Sequence, residues 1–165
     1  MKKYEFTGET KEIRLLFRTA TLHRIRATVA FGIVEVGDLG GWIEKEENLS
    51  HEGKAWVCGD AKVCGNAEVC GDAEVWGNAK VFSASHVLVI GAIGSRNDFT
   101  TFYRDKDNEI TVKCGCFLGK IDRFLEKVTQ THGDSKYALV YRAAVEVAKL
   151  QIDLSGEAPK DADEE

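Results

Sequence analysis

Chemistry-bearing side chains concentrate in one stretch, Gly91-Ala-Ile-Gly94-Ser95-Arg96-Asn97-Asp98, followed by Thr100, Thr101 and Tyr103. Glycine punctuation lets a backbone aim several N–H groups at one point, and Ser, Asn and Thr donors beside a guanidinium suit a phosphate or other anion. The lysine and spacing of a P-loop are missing, so the stretch is not a nucleotide-hydrolase signature. Thr131-His132-Gly133-Asp134, at a helix start, adds a second anion-compatible or capping element. The expected ligand site is therefore Ser95, Arg96, Asn97, Asp98, Thr100, Thr101, Tyr103 and His132. Arg96 would supply charge, Asn97, Thr100 and Thr101 hydrogen bonds, and Tyr103 or Phe102 a stacking surface. The competing reading pairs Arg96 with Asp98 and spends the hydroxyls on turn backbones.

Five cysteines invite a metal reading. Cys58, Cys64 and Cys70 recur every six residues, and six extended residues span up to about 20 Å, too far for one ion to collect all three. Cys114 and Cys116 lie about 7 Å apart along one strand face, without a matching His or Cys pair, so core packing is expected there. No metal and no cofactor are predicted, and no catalytic residue is assigned.

What must position these groups is a six-residue repeat: Gly53-Lys-Ala-Trp-Val-Cys58, Gly59-Asp-Ala-Lys-Val-Cys64, Gly65-Asn-Ala-Glu-Val-Cys70, Gly71-Asp-Ala-Glu-Val-Trp76 and Gly77-Asn-Ala-Lys-Val-Phe82, loosely continued by Ser83-Ala-Ser-His-Val-Leu88. A period of six walks off any helical face, and glycine in each hexad would cost a helix about 1 kcal/mol each time. The pattern instead predicts a short strand around each valine and a Gly-Asp or Gly-Asn turn between strands, with alanine and valine pointing inward. Such a coil leaves its ends open, so the flanking segments must cap it, or copies must associate through exposed Trp76 and Phe82.

Alternation over Leu22–Phe31 predicts a strand with His23, Ile25, Ala27, Val29 and Phe31 on one face. Leu39, Trp42 and Ile43 are placed to plug the first coil. Phe99–Arg104 and Glu109–Phe117, joined at Asp105-Lys-Asp-Asn108, predict a β-hairpin. Helical spacing follows at Ile121, Phe124, Leu125 and Val128, then in a second helix capped by Asp134 and reaching Ile152.

Of the 165 residues 22 are Lys or Arg and 27 are Asp or Glu, and the net charge of −5 falls mostly in residues 155–165, an acidic end expected to be poorly ordered. The nearly neutral body argues against extended nucleic acid as a partner, because phosphate neutralisation needs a clustered basic surface. No run approaches the roughly 18 apolar residues of a membrane span, and the N-terminus does not read as a secretory signal, so the cytosol is the expected compartment. An odd number of cysteines fits reduced thiols better than a disulfide framework.

Valine followed four residues later by a small residue resembles the hexapeptide-repeat family, whose chain winds as a left-handed parallel β-helix with three hexads per coil. Together with Asp38-Leu-Gly-Gly-Trp-Ile43, Ile93-Gly-Ser-Arg-Asn-Asp98, Thr100-Thr-Phe-Tyr103, Lys113-Cys-Gly-Cys-Phe117 and Thr131-His-Gly-Asp134, the repeat is similar to a group of phage and prophage proteins, over roughly residues 4–152. The resemblance implies a mainly β fold: a short left-handed β-helix (residues 53–94), a β-rich N-terminal cap (1–52), and a C-terminal cap of a β-hairpin and two α-helices (95–154). It also implies that residues 18 apart stack, placing Lys62 beside Lys80. The functional expectation is a non-enzymatic, homo-oligomeric phage protein in the host cytosol. It would sequester a small anionic, nucleotide-like signal as counter-defence, or dock on a host defence protein. The alternatives are an acyltransferase-like enzyme with His86 as base, as hexapeptide-family enzymes use a histidine beside the coil, and a purely structural assembly module.

Overall fold

The five glycines that open the hexads all adopt a left-handed backbone, with φ between +64° and +68°. Only glycine takes that conformation without a steric cost, which is why one recurs wherever the chain turns between short strands. In the computed structural model, which describes residues 1–155, this turn delivers each valine and alanine to the interior. Val57, Val63, Val69, Val75 and Val81 are fully buried, as are Ala55, Ala61, Ala73 and Ala79.

The strands that result are two residues long: β4 (Trp56–Val57), β5 (Lys62–Val63), β6 (Glu74–Val75) and β7 (Lys80–Val81). Before them come β1 (Tyr4–Arg14), β2 (Thr19–Ala27) and β3 (Leu39–Ile43). After them come β8 (Val87–Ile93), β9 (Asp98–Arg104), β10 (Ile110–Cys114), β11 (Phe117–Lys120), α1 (Ile121–His132) and α2 (Lys136–Gln151). Within the repeat, pairing is parallel at an offset of 18 residues, Lys62 beside Lys80 and Trp56 beside Glu74.

The expected fold class needs correction. The chain is not a mainly β protein built on a left-handed β-helix; it is a mixed α/β structure with three sheets and two helices. A five-stranded mixed sheet runs β1-β2-β3-β5-β7, a four-stranded sheet β11-β10-β9-β8 is antiparallel throughout, and β4 and β6 form a pair. The physical reason is the shortness of the repeat strands. Two-residue ladders supply few pairings, whereas the long antiparallel ladders of β1 with β2 and of β8 through β11 supply most of them.

Strand β9 ties the two halves together through its alternation. Tyr103 is buried with the repeat valines, Tyr4 and Ile43, while its neighbour Phe102 points the other way into a cluster with Val112, Phe124, Val128 and Val145. Tyr103 Oη donates to the Trp76 carbonyl at 2.9 Å, and Thr101 Oγ1 accepts the Glu74 N–H at 3.0 Å, so the sheet is bonded to the repeat as well as packed on it. Among the described residues no helix is long and apolar enough to cross a membrane.

Several local expectations are refined. Strand β2 ends at Ala27, and irregular pairing between Arg24 and Arg26 lets Ile25 and Ala27 join the repeat core while Ala20 and Leu22 join a separate cluster with Ile13 and Trp42. Thus His23 stacks on Phe6, with ring centroids 4.5 Å apart, instead of sharing a buried face with Ile25. Leu39 is largely exposed, and Ile43 alone of the proposed plug enters the repeat core. Trp76 and Phe82 are partly covered by Lys113 and Arg104, whose cationic groups lie 5.1 Å from the respective ring centroids. The N-cap of α2 is Ser135, not Asp134. All of the acidic end except Ser155 lies outside the described residues.

The hexad glycines differ in their surroundings, which separates two costs. A Cβ on Gly65 would stand 2.5 Å from the Phe82 carbonyl oxygen, whereas one on Gly77 would meet nothing within 4 Å. Gly77→Ala should therefore cost about 1–2 kcal/mol, the penalty of left-handed backbone alone, and Gly65→Ala about 1–3 kcal/mol more from the backbone clash. Urea denaturation of the two variants checks this; equal losses would show that the repeats do not approach as closely as described.

Candidate functional site

Turns at one end of the antiparallel sheet converge on a cleft of about 200 Å³. The β8–β9 turn contributes Ser95, Arg96 and Asp98, and the β10–β11 turn contributes Cys114, Gly115, Cys116 and Phe117. From α1 come Phe124, Lys127, Val128, Thr131 and His132, and from α2 comes Tyr141.

Local sequence explains how these groups meet. Gly94 (φ +78°) and Asn97 (φ +48°) take left-handed conformations that reverse the chain, and the Asn97 N–H donates to the Gly94 carbonyl at 3.2 Å. Gly94 is also a close-approach position: a Cβ there would lie 1.9 Å from Tyr141 Oη, so only glycine admits the phenol to this wall. Gly115 (φ +57°) similarly forms the tight turn between paired Cys114 and Phe117. Arg96 packs beside this turn, its Nη1 3.7 Å from where a Cβ on Gly115 would stand.

The floor is apolar. Phe124 packs against Phe117 and Tyr141 at centroid separations of 5.3 and 5.6 Å, with Val128 beside them. His132, at the last position of α1, lies nearly parallel to the Tyr141 ring, 5.8 Å away at 27°. The loop that follows is pinned by Arg142, which donates to the Gly133 carbonyl at 2.9 Å. Burial, the Cys114 thiol and Asp98 together push the Tyr141 phenol up to about 12, keeping it protonated. Cationic Arg96 and Lys127 are exposed at the mouth, against the single carboxylate of Asp98.

The expected site residues divide. Ser95, Arg96, Asp98 and His132 are brought together in the cleft. Asn97 is exposed at the turn but does not line it. Thr100, Thr101 and Tyr103 are buried, with exposures of 1%, 1% and 0%, and none of them lines this cleft, although Thr101 reaches the lining of a second cleft beside Lys54 and Asp72. Thr100 Oγ1 donates to Cys114 Sγ at 3.4 Å, while Thr101 and Tyr103 bond to the repeat backbone. Their role is to hold β9, and Phe102, fully buried, offers no stacking surface. Among the described residues Arg96 and Asp98 form no ion pair with each other, as the competing reading would have it; Asp98 Oδ1 instead accepts the Phe99 N–H at 2.8 Å.

Sequence reasoning missed Lys127, Phe117 and Tyr141 as site residues. A signal existed for Lys127, which sits four residues before Thr131 and three after Phe124, hence on one flank of α1. The five cysteines are free thiols, and burial pushes that of Cys64 up to about 12. Among the described residues no group of three or more His, Cys, Asp or Glu side chains is arranged to hold a metal ion.

His86 lies elsewhere, in the short 3-10 turn Ala84–His86, and is buried. Its Nδ1 accepts the Phe82 N–H at 3.0 Å, and burial with Arg104 nearby lowers its pKa to about 4. Compared with known proteins, the chain matches no family model and no curated protein.

A folded-state value below the unfolded one means that acid favours the unfolded chain. The contribution of neutral His86 is whole above pH 6.5 and is lost as the pH falls toward 4. Wild type should lose roughly 2 kcal/mol through this group between pH 7 and 4.5. In His86→Asn, whose Oδ1 can still accept the Phe82 N–H, the pH profile from chemical denaturation should be flatter by that amount.

Proposed function

We propose that this chain is a non-enzymatic binding protein that captures a small anionic, nucleotide-like ligand in the cleft between the sheet turns and the two helices. One observation carries the reading: an apolar, ring-lined floor of Phe117, Phe124 and Tyr141 lies beneath a mouth bearing Arg96, Lys127 and His132. A flat base fits the floor by ring contact, and a phosphate fits the cations, of which Arg96 can engage two oxygens at once. Binding is favoured over acyl transfer because His86, the base that reaction would need, is buried with its Nδ1 already bonded.

The wider setting follows from the resemblance of the repeat and its ends to phage and prophage proteins. In that setting the protein acts in the host cytosol and withholds a nucleotide signal from a defence system. Stoichiometric capture suits such a role, since a signal molecule is neutralised by being held.

Arg96 and Lys127 are exposed, so their removal tests the site without disturbing the core. In calorimetric titration with a panel of linear and cyclic nucleotides, the best wild-type ligand should bind about tenfold more weakly to Arg96→Ala and to Lys127→Ala, with melting unchanged. Silence across the panel for wild type, or equal affinity in both variants, would remove the proposal.

A further inference from the structure

At about 200 Å³ the cleft is smaller than the roughly 300 Å³ at which ligand pockets ordinarily begin, but it does not end at a wall. Asp98 and Gly115 line it and also line a second cleft of about 180 Å³, reached across the β10–β11 turn. Gly115 has no side chain to form a barrier between the two, and Arg96 lies directly over it.

The second cleft is polar where the first is apolar. Lys113, only 8% exposed, is spent there: its Nζ lies 3.1 Å from Glu74 Oε2, donates to the Gly115 carbonyl, and stands over the Trp76 ring. Lys54 is different. Its stem runs along Gly32, it is exposed, and its ammonium has no ion-pair partner among the described residues. Asp72 and Asp98 each use Oδ1 to accept a backbone N–H, from Lys54 at 3.2 Å and Phe99 at 2.8 Å. The second oxygen of each carboxylate is directed to no described donor, and a hydroxyl or amino group would suit it.

We propose that the two clefts are one bipartite site for a ligand of dinucleotide size carrying two anionic groups. The first base and phosphate occupy the ring-lined cleft under Arg96 and Lys127. The chain of the ligand crosses the rim at Gly115 beside Arg96, and its second phosphate reaches Lys54 while sugar hydroxyls meet Asp72 and Asp98. Carboxylates beside cations favour a nucleotide over a bare polyphosphate, which they would repel. This inference rests on the binding reading above and specifies the ligand for the same site.

The test titrates wild type, Lys54→Glu and Arg96→Ala with adenosine monophosphate and with 5′-phosphorylated diadenylate, each repeated with the other three common bases. Wild type should hold the dinucleotide about tenfold more tightly than the mononucleotide. Lys54→Glu should erase that advantage and leave mononucleotide affinity unchanged, whereas Arg96→Ala should weaken both. If Arg96→Ala weakens mononucleotide binding while Lys54→Glu changes nothing, or if the dinucleotide has no advantage, the first cleft stands and the bipartite site is overturned. If wild type binds neither, the bipartite site is overturned, and the binding reading falls with it where the cyclic nucleotides are silent too.

Discussion

The structure depends on one pairing made twice, a two-residue parallel ladder that sets the hexads opening at Gly53 and Gly59 beside those opening at Gly71 and Gly77, as in Val57 with Val75 and Lys62 with Lys80. Such a ladder is weak alone and works because it is closed on its inner side by valine and alanine with no exposed surface. Strand β9 is fixed by that arrangement, through Tyr103 in the repeat core and through bonds to the backbone at Glu74 and Trp76. The β8–β9 turn that leads into it and carries Arg96, and the helices packed on Phe102, take their position from β9. The repeat thus acts on the candidate site from a distance, as the rigid wall against which one strand is set.

What was legible follows from how local each signal is. Glycine every six residues is a backbone requirement expressed in one residue, and it could be read with no knowledge of the neighbours. The spacing of Ile121, Phe124, Leu125 and Val128 on α1, or of Tyr137, Tyr141, Ala144, Val145 and Ala148 on α2, is a helical face that sequence shows directly; most of those residues are buried, Ile121 and Leu125 only partly, while Tyr137, in the first turn of α2, is exposed. The fold class was not legible, because it depends on which ladders dominate. The sequence displays the repeat vividly, yet β1 with β2 and β8 through β11 make the longer antiparallel ladders, and two helices complete a mixed α/β structure. The irregular pairing near Arg24 was equally hidden, since alternation through His23 and Ile25 is unbroken in sequence while the burial pattern shifts between Leu22 and Ile25.

The site was half legible for a related reason. Gly94 through Asp98 carries turn chemistry that any chain would express, and Ser95, Arg96 and Asp98 reach the cleft. Hydroxyls at Thr100 and Thr101 look the same in sequence whether they serve a ligand or a neighbouring strand. Their burial arises because both faces of β9 are covered, one by the repeat and one by the helices, and the sequence does not reveal that second cover. Lys127 and Tyr141 enter from helices, 31 and 45 residues further along the chain than Arg96, and their convergence is a product of packing alone.

Charge makes the division between scaffold and site sharper than burial does. Buried ionic groups are expensive unless bonded, and here they are bonded to structural partners. The Lys3 ammonium donates to the Ala55 carbonyl at 2.6 Å, and desolvation lowers its pKa to about 8. Arg104 donates to the Lys80 carbonyl at 2.9 Å, and Asp105 accepts from Thr111 at 2.7 Å and Lys120 at 2.8 Å. Each of these charges ties a flanking segment to the repeat or closes the β9–β10 turn, so its electrostatic capacity is committed inside the fold. Arg96, Lys127 and Lys54 stand on the exposed side of the same architecture, around two clefts that share Asp98 and Gly115. In a chain whose body is nearly neutral, attraction for an anion cannot come from a broad field. Under the proposed function it comes from a few cations held close to an apolar surface, and the clefts beside the turn that leads into β9 are where the fold brings Arg96, Lys127 and Lys54 near one another.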